Sequence, residues 1–193
     1  ETIMALKEFR PLTPSLRYTL LRDFSELTPD SKPEKKLLEI KHRTGGRNSY
    51  GRMTSRHRGG GHKKKFRIIE WNRRKRTSAG TVLGIQYDPN RSARLALVEY
   101  GPKDRAYILA PEGLKAGAKI VAGPSVPAEV GNALPLRAIP QGLPLHNIEM
   151  VPGRGAQIVR SAGTAAICTA IDGDYALLKL PSGEIRQIGR AHV

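Results

Sequence analysis

Positive charge is concentrated in one stretch of this chain. Residues 41–76 contain 14 Lys and Arg side chains and a single acid, Glu70, whereas residues 1–40 contain seven side chains of each sign. The formal net charge of the 193 residues is +16 at pH 7, so most of the excess lies in this stretch. Cations at this density repel one another within a Debye length of about 8 Å, and the stretch cannot compact unless something neutralises it. A solvated tail is the alternative, but the density favours a polyanionic partner.

Three consecutive glycines, residues 59–61, interrupt the charge cluster. Glycine has no Cβ to obstruct the approach of backbone N–H groups to a phosphate, and it readily adopts positive φ. We therefore expect a bend that presents Arg56, Arg58, Lys63 and Lys64 in different directions. A flexible linker is the other interpretation, although linkers rarely carry this much charge.

Aromatic residues are few near the cluster. Tyr50, Phe66 and Trp71 lie in or beside it, too few for the stacking array with which a sheet reads single-stranded bases. Recognition should therefore depend more on shape and phosphate placement than on base sequence.

The first forty residues contain Pro11, Pro14, Pro29 and Pro33, which repeatedly stop helices. Only residues 16–24 have a pattern that favours a short helix. Apolar residues are sparse, so we expect residues 1–62 to form an extended arm ordered by a partner, with residues 41–63 disordered in the absence of that partner.

Short strand patterns separated by Gly, Pro, Asn and Asp begin near Phe66. Leu83, Ile85 and Tyr87 alternate along one face, and residues 88–90 form a turn before the next strand. The quoted patterns are "KFRIIEW", "GTVLGIQYDPN", "RLALVEYG" and "RAYILAP", then "LPLRAIP", "LHNIEMVP", "QIVRSAGTAAICTAID", "YALLKLP" and "EIRQIG". They predict an all-β protein with two small barrels, over 63–125 and 126–193, joined by a proline-rich linker at 122–135.

Residues that catalyse reactions or bind metals do not form a convincing set. His57 and His62 are five residues apart and far from any cysteine, which disfavours a metal site. Asp172 and Asp174 flank a turn glycine, and the single cysteine, Cys168, lies in an apolar pattern that predicts a core position. Neither "GGRNSYGR" nor "GRGAQIV" has the residues of a nucleotide-binding loop. We expect no enzyme activity, cofactor, metal or small-molecule substrate.

No apolar run approaches the roughly 20 residues of a membrane helix, so we expect no membrane partner. One cysteine excludes an intramolecular disulfide and suits a reducing compartment.

Several long blocks resemble a known family. The block "TGGRNSYGRMTSRHRGGGHKKKFRIIEW" is similar to the basic N-terminal region of the ribosomal protein L2 family in its bacterial or organellar form. The blocks "YDPNRSARLALV", "YILAPEG", "GNALPLRAIPQGLPLHNIEMVPGRGAQIVRSAGT" and "LPSGEIRQI" follow in that family's order. The resemblance covers nearly the whole chain.

The resemblance implies an OB-fold barrel followed by an SH3-like barrel, both packed on large-subunit (23S-type) rRNA, with neighbouring ribosomal proteins as further partners. It also implies a location in a bacterial cytoplasmic ribosome or an organellar ribosome. The expected rRNA contacts are Gly45, Gly46, Arg47, Asn48, Arg52, Ser55, Arg56, His57, Arg58, Gly59, Gly60, Gly61, His62, Lys63, Lys64, Arg91, Arg94, Arg154 and Arg160.

The family's Gly- and His-rich C-terminal tail, which reaches toward the peptidyl-transferase centre, is not expected in this chain, and its role is assigned to no residue here. Two other function classes remain open at this point. A DNA-binding architectural protein would use the basic arm and "RRKR" at 73–76, and an RNA-modifying enzyme would need a catalytic pocket on a barrel.

Overall fold

The computed structural model describes residues 6–29, 31–73 and 78–189. Residues 74–76 of the RRKR run lie outside the described residues. In the described part the chain forms strands, together with 3-10 turns at Lys35–Leu37 and Leu136–Ala138. The strands are β1 (Leu6–Lys7), β2 (Leu21–Arg22), β3 (Leu38–Ile40), β4 (Lys65–Arg67), β5 (Gly80–Gln86), β6 (Leu95–Gly101), β7 (Asp104–Leu109), β8 (Lys119–Ile120), β9 (Pro144–Leu145), β10 (Ala166–Asp172), β11 (Tyr175–Lys179) and β12 (Ile185–Gly189). The expected all-β class is confirmed.

The first barrel is built on an antiparallel sheet with strand order β7-β6-β5-β8. Its central strand β6 is buried on both faces from Leu95 to Val98. One face packs against Tyr107 and Leu109, and the other packs against Val82 and neighbouring aliphatic side chains. A strand covered on both faces needs a continuous apolar run rather than alternation, which is what the sequence of β6 supplies.

The predicted alternation is present in β5. The buried face is the one opposite Leu83 and Tyr87. Val82 and Gln86 point inward, whereas Leu83 and Tyr87 are exposed. The outward face is useful because the N-terminal segment packs across it: the Phe24 ring meets Tyr87 edge-to-face at 5.7 Å. Alternation alone identifies two faces, and the packing partners decide which one is the core.

The second barrel is built on an antiparallel sheet with strand order β12-β11-β10-β9. Its core contains Leu136, Ile148, Ala166, Leu178 and Ile188. The prediction of a core position for the cysteine is confirmed, since its thiol is buried in the same cluster.

Three sequence predictions of local structure are wrong. The pattern "LHNIEMVP" is not one strand, because only Leu145 lies in a strand and Ile148 makes an isolated bridge to Ile158. The segment 16–24 is not a helix: it contains turns and β2, which pairs with β1. A nine-residue helix is marginal in water without an apolar face to bury, and several of these side chains remain exposed. The pattern "LPLRAIP" is not a strand, because after Pro135 the chain makes the 3-10 turn that buries Leu136.

The N-terminal segment contacts the first barrel at several places. The Thr28 amide donates to the Ile85 carbonyl at 3.0 Å, and the Ile85 amide donates to the Thr28 hydroxyl at 2.9 Å. β3 pairs with β4, from Leu38 opposite Arg67 to Ile40 opposite Lys65. The strands β3 and β4 therefore join residues on the two sides of position 62, where the sequence predicted the arm to end.

The predicted linker 122–135 has defined hydrogen bonds. The side-chain oxygen of Asn132 accepts from the Val121 amide at 2.9 Å, and Ala122 bridges Ala133 in parallel register. This segment connects the two sheets through a fixed turn rather than a free chain.

Candidate nucleic-acid interface

The basic part of the arm folds into a loop, Thr44–Arg58, which we call the arginine loop. Arg47 and Met53 form an antiparallel bridge across it. The Gly46 carbonyl accepts from the amides of Thr54 and Ser55, at 2.9 and 3.1 Å. Gly46 itself has φ +79°, and a Cβ there would collide with the Ser55 backbone. The loop therefore depends on glycine at this position for its own geometry.

Cations on the arginine loop and just after it are exposed and free of acid partners. Of the described residues, none of these six forms an ion pair with a carboxylate: Arg47, Arg52, Arg56, Arg58, Lys63 and Lys64. His57 has φ +62° between two of the arginines, so the chain direction changes there. The charge is held outward on a backbone that bonds mainly to itself.

The glycine triplet is only partly explained by the chain's own fold. Gly61 has φ +62°, and a Cβ there would lie 2.8 Å from a guanidinium nitrogen of Arg43. Gly59 and Gly60 have no positive φ, and nothing lies within 4 Å of the position their Cβ would take. Their open surroundings leave room for an approaching partner.

A second group of cations forms a row with two aromatic rings, which we call the cation–aromatic row: Lys41, Phe66, Arg91, Trp71 and Arg160. The Lys41 ammonium lies 3.7 Å from the Phe66 ring centre, and the Arg91 guanidinium carbon lies 5.4 Å from it. The same Arg91 carbon is 5.6 Å from the Trp71 ring, and that of Arg160 is 4.7 Å from it. Attraction to ring faces holds these cations in place at about 0.5–1 kcal/mol each where exposed.

A buried carboxylate fixes Arg91. Asp88 is fully buried, and its Oδ2 accepts from the Arg91 Nε at 2.7 Å. Its Oδ1 accepts from the Asn90 amide at 2.9 Å. The predicted turn at 88–90 thus has a second role, since it aims the guanidinium that follows it.

Contacts between the two barrels hold Arg160 beside Trp71. The Trp71 carbonyl accepts from the Ala156 amide at 3.1 Å, and the Asn72 side chain donates to the Gly153 carbonyl at 2.9 Å. Val159, the residue before Arg160, has φ +57°, which is unusual for a β-branched residue. This local strain turns the chain just where the arginine leaves it.

The remaining two predicted arginines lie apart from this row. The Arg94 guanidinium carbon lies 5.1 Å from the ring centre of Phe24, on the N-terminal segment, and 5.7 Å from that of Tyr87, which follows β5. Arg154 is exposed in the loop after Val151.

Sequence reasoning missed Lys41, Phe66, Trp71 and Asp88 as parts of the candidate site. The two aromatic residues were noted only as too few to read bases. Alternation of aromatic and basic residues in "KKKFRIIEWNRR" was a signal, but their pairing with Arg91 and Arg160 depends on tertiary contacts.

A partly buried arginine, Arg73, lies at the junction of the barrels. The Arg73 Nη1 donates to the Gly131 carbonyl at 2.7 Å, and Tyr100 and Glu70 lie close enough to favour the charged guanidinium. Burial lowers the pKa of Arg73, and burial together with the nearby Arg73 charge lowers the pKa of His146. This positive group faces the protein interior, so it supports the junction rather than an exposed interface.

Across 6–29, 31–73 and 78–189, no three His, Cys, Asp or Glu side chains gather closely enough to hold a metal ion. Within these ranges no helix is long and apolar enough to cross a bilayer.

Two family models match consecutive parts of the chain. "Ribosomal Proteins L2, RNA binding N-terminal domain" matches residues 34–122, and "Ribosomal Proteins L2, C-terminal domain" matches residues 129–192. The chain belongs to the ribosomal protein L2 family. The expected OB-fold barrel followed by an SH3-like barrel is confirmed by this membership together with the two curled sheets.

A bacterial relative in the L2 family is 54% identical over 185 residues, which is 96% of this chain. It is the large ribosomal subunit protein uL2 of Methylacidiphilum infernorum (isolate V4). The chain spans 65% of that relative's length. Every residue predicted to contact rRNA lies inside one of the two matched ranges, while the individual contacts stay predictions.

Proposed function

We propose that this chain is a non-enzymatic structural component of the large ribosomal subunit that binds large-subunit rRNA and supports subunit assembly and translation. The observation that carries the proposal is the cation–aromatic row, which joins the arm and both barrels into one positively charged surface. Membership of the L2 family and the name of the bacterial relative support the same conclusion.

In this proposal the protein has three parts: an arm at 1–62, an OB-fold barrel at 63–125 and an SH3-like barrel at 126–193. The arm supplies unpaired cations and open glycines that approach phosphates closely. The cation–aromatic row supplies cations already held in position. Arg94 and Arg154 widen the surface on either side. Neighbouring ribosomal proteins are the further partners, in a bacterial cytoplasmic or an organellar ribosome.

Phosphate neutralisation gives a quantitative test. If the protein contacts about 6–10 phosphates, log K for an rRNA fragment should fall with log salt at a total slope between about −4 and −9. Arg160→Gln should reduce the magnitude of the slope by about 1 and weaken binding. Arg186→Gln is the matched control, because Arg186 on β12 is paired with Glu184 at 3.0 Å and is not a member of the row.

A slope near zero would contradict the proposal. Equal affinity for mixed-sequence DNA and rRNA at physiological salt would favour a DNA-binding architectural protein. In a sedimentation experiment with whole ribosomes, we expect the chain to cosediment with the large subunit even in high salt.

A further inference from the structure

The tip of the arginine loop is a small turn in which the amides of Asn48, Tyr50, Gly51 and Arg52 are all bonded inside the loop. Asn48 accepts from the Gly51 amide through its carbonyl at 3.0 Å, and its side-chain Oδ1 accepts from the amides of Tyr50 and Arg52, at 3.1 and 3.0 Å. The Arg47 Nη1 donates to the Gly51 carbonyl at 2.9 Å. Gly51 has φ +76°, which closes the turn.

The ring at this tip points away from the protein. Tyr50 is 88% exposed, so it contributes little to folding by burial. Because the backbone of this turn is already ordered by its own hydrogen bonds, a partner that contacts the ring loses less conformational entropy of the loop on binding.

The charge around the ring selects the class of partner. The loop has cations on both sides of Tyr50, at Arg47 and Arg52, and the chain has no acidic residue between Glu39 and Glu70. A partner that meets this surface must bring negative charge together with a flat apolar face. An unpaired nucleotide has both, since its base stacks on an aromatic ring while its phosphates meet arginine.

We propose that Tyr50 stacks on one unpaired nucleobase of the bound RNA, and this inference rests on the proposed function. The stacking contact distinguishes unpaired RNA from a perfect duplex. The arginines of the same loop bind the phosphates of both kinds of RNA. Tyr50 is not one of the residues of the cation–aromatic row.

The experiment uses the full chain and two RNA probes of equal length. One is a hairpin with 2-aminopurine at an unpaired loop position, and the other is a fully paired duplex. Tyr50→Ala should weaken binding of the hairpin roughly 5- to 150-fold, the range that corresponds to about 1–3 kcal/mol per stacked base. It should change duplex binding by less than about threefold, and Tyr50→Phe should resemble wild type because the ring makes the contact.

Two further readings make the outcome specific. Wild-type protein should quench 2-aminopurine fluorescence on binding, and Tyr50→Ala should bind at saturating concentration without that quenching. Tyr18→Ala is the matched control, because Tyr18 is 85% exposed but lies in the charge-balanced part of the arm.

The inference is overturned if Tyr50→Ala weakens both probes equally, leaves the hairpin affinity unchanged, or quenches as wild type does. Failure of the proposed function is a different result, in which wild-type protein binds neither probe with salt-dependent affinity.

Discussion

The guanidinium of Arg160 lies 4.7 Å from the ring centre of Trp71, and the two side chains come from different barrels. Trp71 is the last residue of the strand pattern that opens the first barrel, whereas Arg160 lies in a loop of the second. Because Arg91 lies near the same ring, Trp71 is the point where cations from both barrels meet. Replacement of Trp71 should therefore weaken RNA binding more than replacement of an uncharged surface residue outside the row.

Replacement of Trp71 by Leu should weaken binding to an rRNA fragment by about 3- to 10-fold, because two arginines lose the ring that holds them although no charge is removed. Fluorescence anisotropy at fixed salt measures the affinity, and a thermal melt checks that the variant is folded. Tyr175→Leu, at another partly exposed aromatic, is the matched control and should leave affinity unchanged. If folded Trp71→Leu binds the rRNA fragment as tightly as wild type does, the Trp71 ring does not contribute to the interface.

Two glycines in one loop offer a matched pair for the barrel junction. Gly153 and Gly155 both have φ +80°, but only at Gly155 would a Cβ meet Trp71, at 2.9 Å from its Cβ. Gly153→Ala should cost about 1–2 kcal/mol for the backbone conformation alone. Gly155→Ala should cost about 1–3 kcal/mol more through overpacking.

Urea denaturation of both variants measures this difference in the free energy of unfolding. Equal destabilisation by the two substitutions would mean that the close approach of the barrels at Trp71 contributes nothing to stability.

The barrels were predictable because strand patterns and turn residues are local signals. β6 and β11 lie where runs of Val, Leu, Ile and Ala predict them. The inward face of β5 was not predictable from its alternation, since the N-terminal segment covers the Tyr87 face from about sixty residues away. A 3-10 turn at Leu136–Ala138 takes the place of a predicted strand. Pro135 has no amide hydrogen to donate to a neighbouring strand, and the turn that follows it buries Leu136.

The candidate site divides in the same way. Charge density located the arginine loop, since charge is read directly from the sequence. The cation–aromatic row required the tertiary fold, because Lys41 and Arg160 are separated by more than a hundred residues. Asp88 was interpreted as a turn residue, and its buried ion pair with Arg91 could be seen only once the barrel was closed.

Tyr107 joins the N-terminal segment to the first barrel and should make stability depend on alkaline pH. Its hydroxyl donates to the Gln86 Oε1 at 2.7 Å and accepts from the Glu34 amide at 2.9 Å. Burial raises the pKa of Tyr107, outweighing the Glu34 amide bond, which lowers it. Above about pH 10 the unfolded tyrosine loses its proton while the folded one retains it, so this contribution is present below pH 10 and is lost as pH rises.

Tyr107→Phe should therefore lower the free energy of unfolding by about 1–3 kcal/mol at pH 7, since the buried Gln86 side chain and the partly buried Glu34 amide each lose a hydrogen bond. The difference between wild type and variant should shrink as pH rises above 10. Chemical denaturation at pH 7, 9 and 10.5 measures both effects. A difference that is constant across these pH values would contradict the raised pKa.

The arm should separate into two parts by hydrogen exchange. The sequence predicts disorder across 41–63 without RNA, while the structure places hydrogen bonds on the amides of Arg52, Thr54 and Ser55 and few on residues 56–63. We expect residues 56–63 to exchange at the rate of an unfolded chain, and the amides bonded within the arginine loop to exchange measurably more slowly. If the amides of the arginine loop also exchange at the rate of an unfolded chain, the whole segment 41–63 is disordered in the free protein. In either case, binding of rRNA should slow the exchange of both parts.

Gly60 tests whether the open glycines serve the partner rather than the fold. Its φ is not positive, and a Cβ would meet nothing within 4 Å, so Gly60→Val should leave the free energy of unfolding within about 0.5 kcal/mol of wild type. The same side chain should obstruct the approach of a phosphate to the backbone and weaken RNA binding, although the charge is unchanged. Gly101→Val is the matched control, since Gly101 also has open space and no positive φ but lies at the end of β6. RNA affinity measured for both variants should fall for Gly60→Val alone, and an unaltered affinity would leave the triplet as a linker between two basic segments.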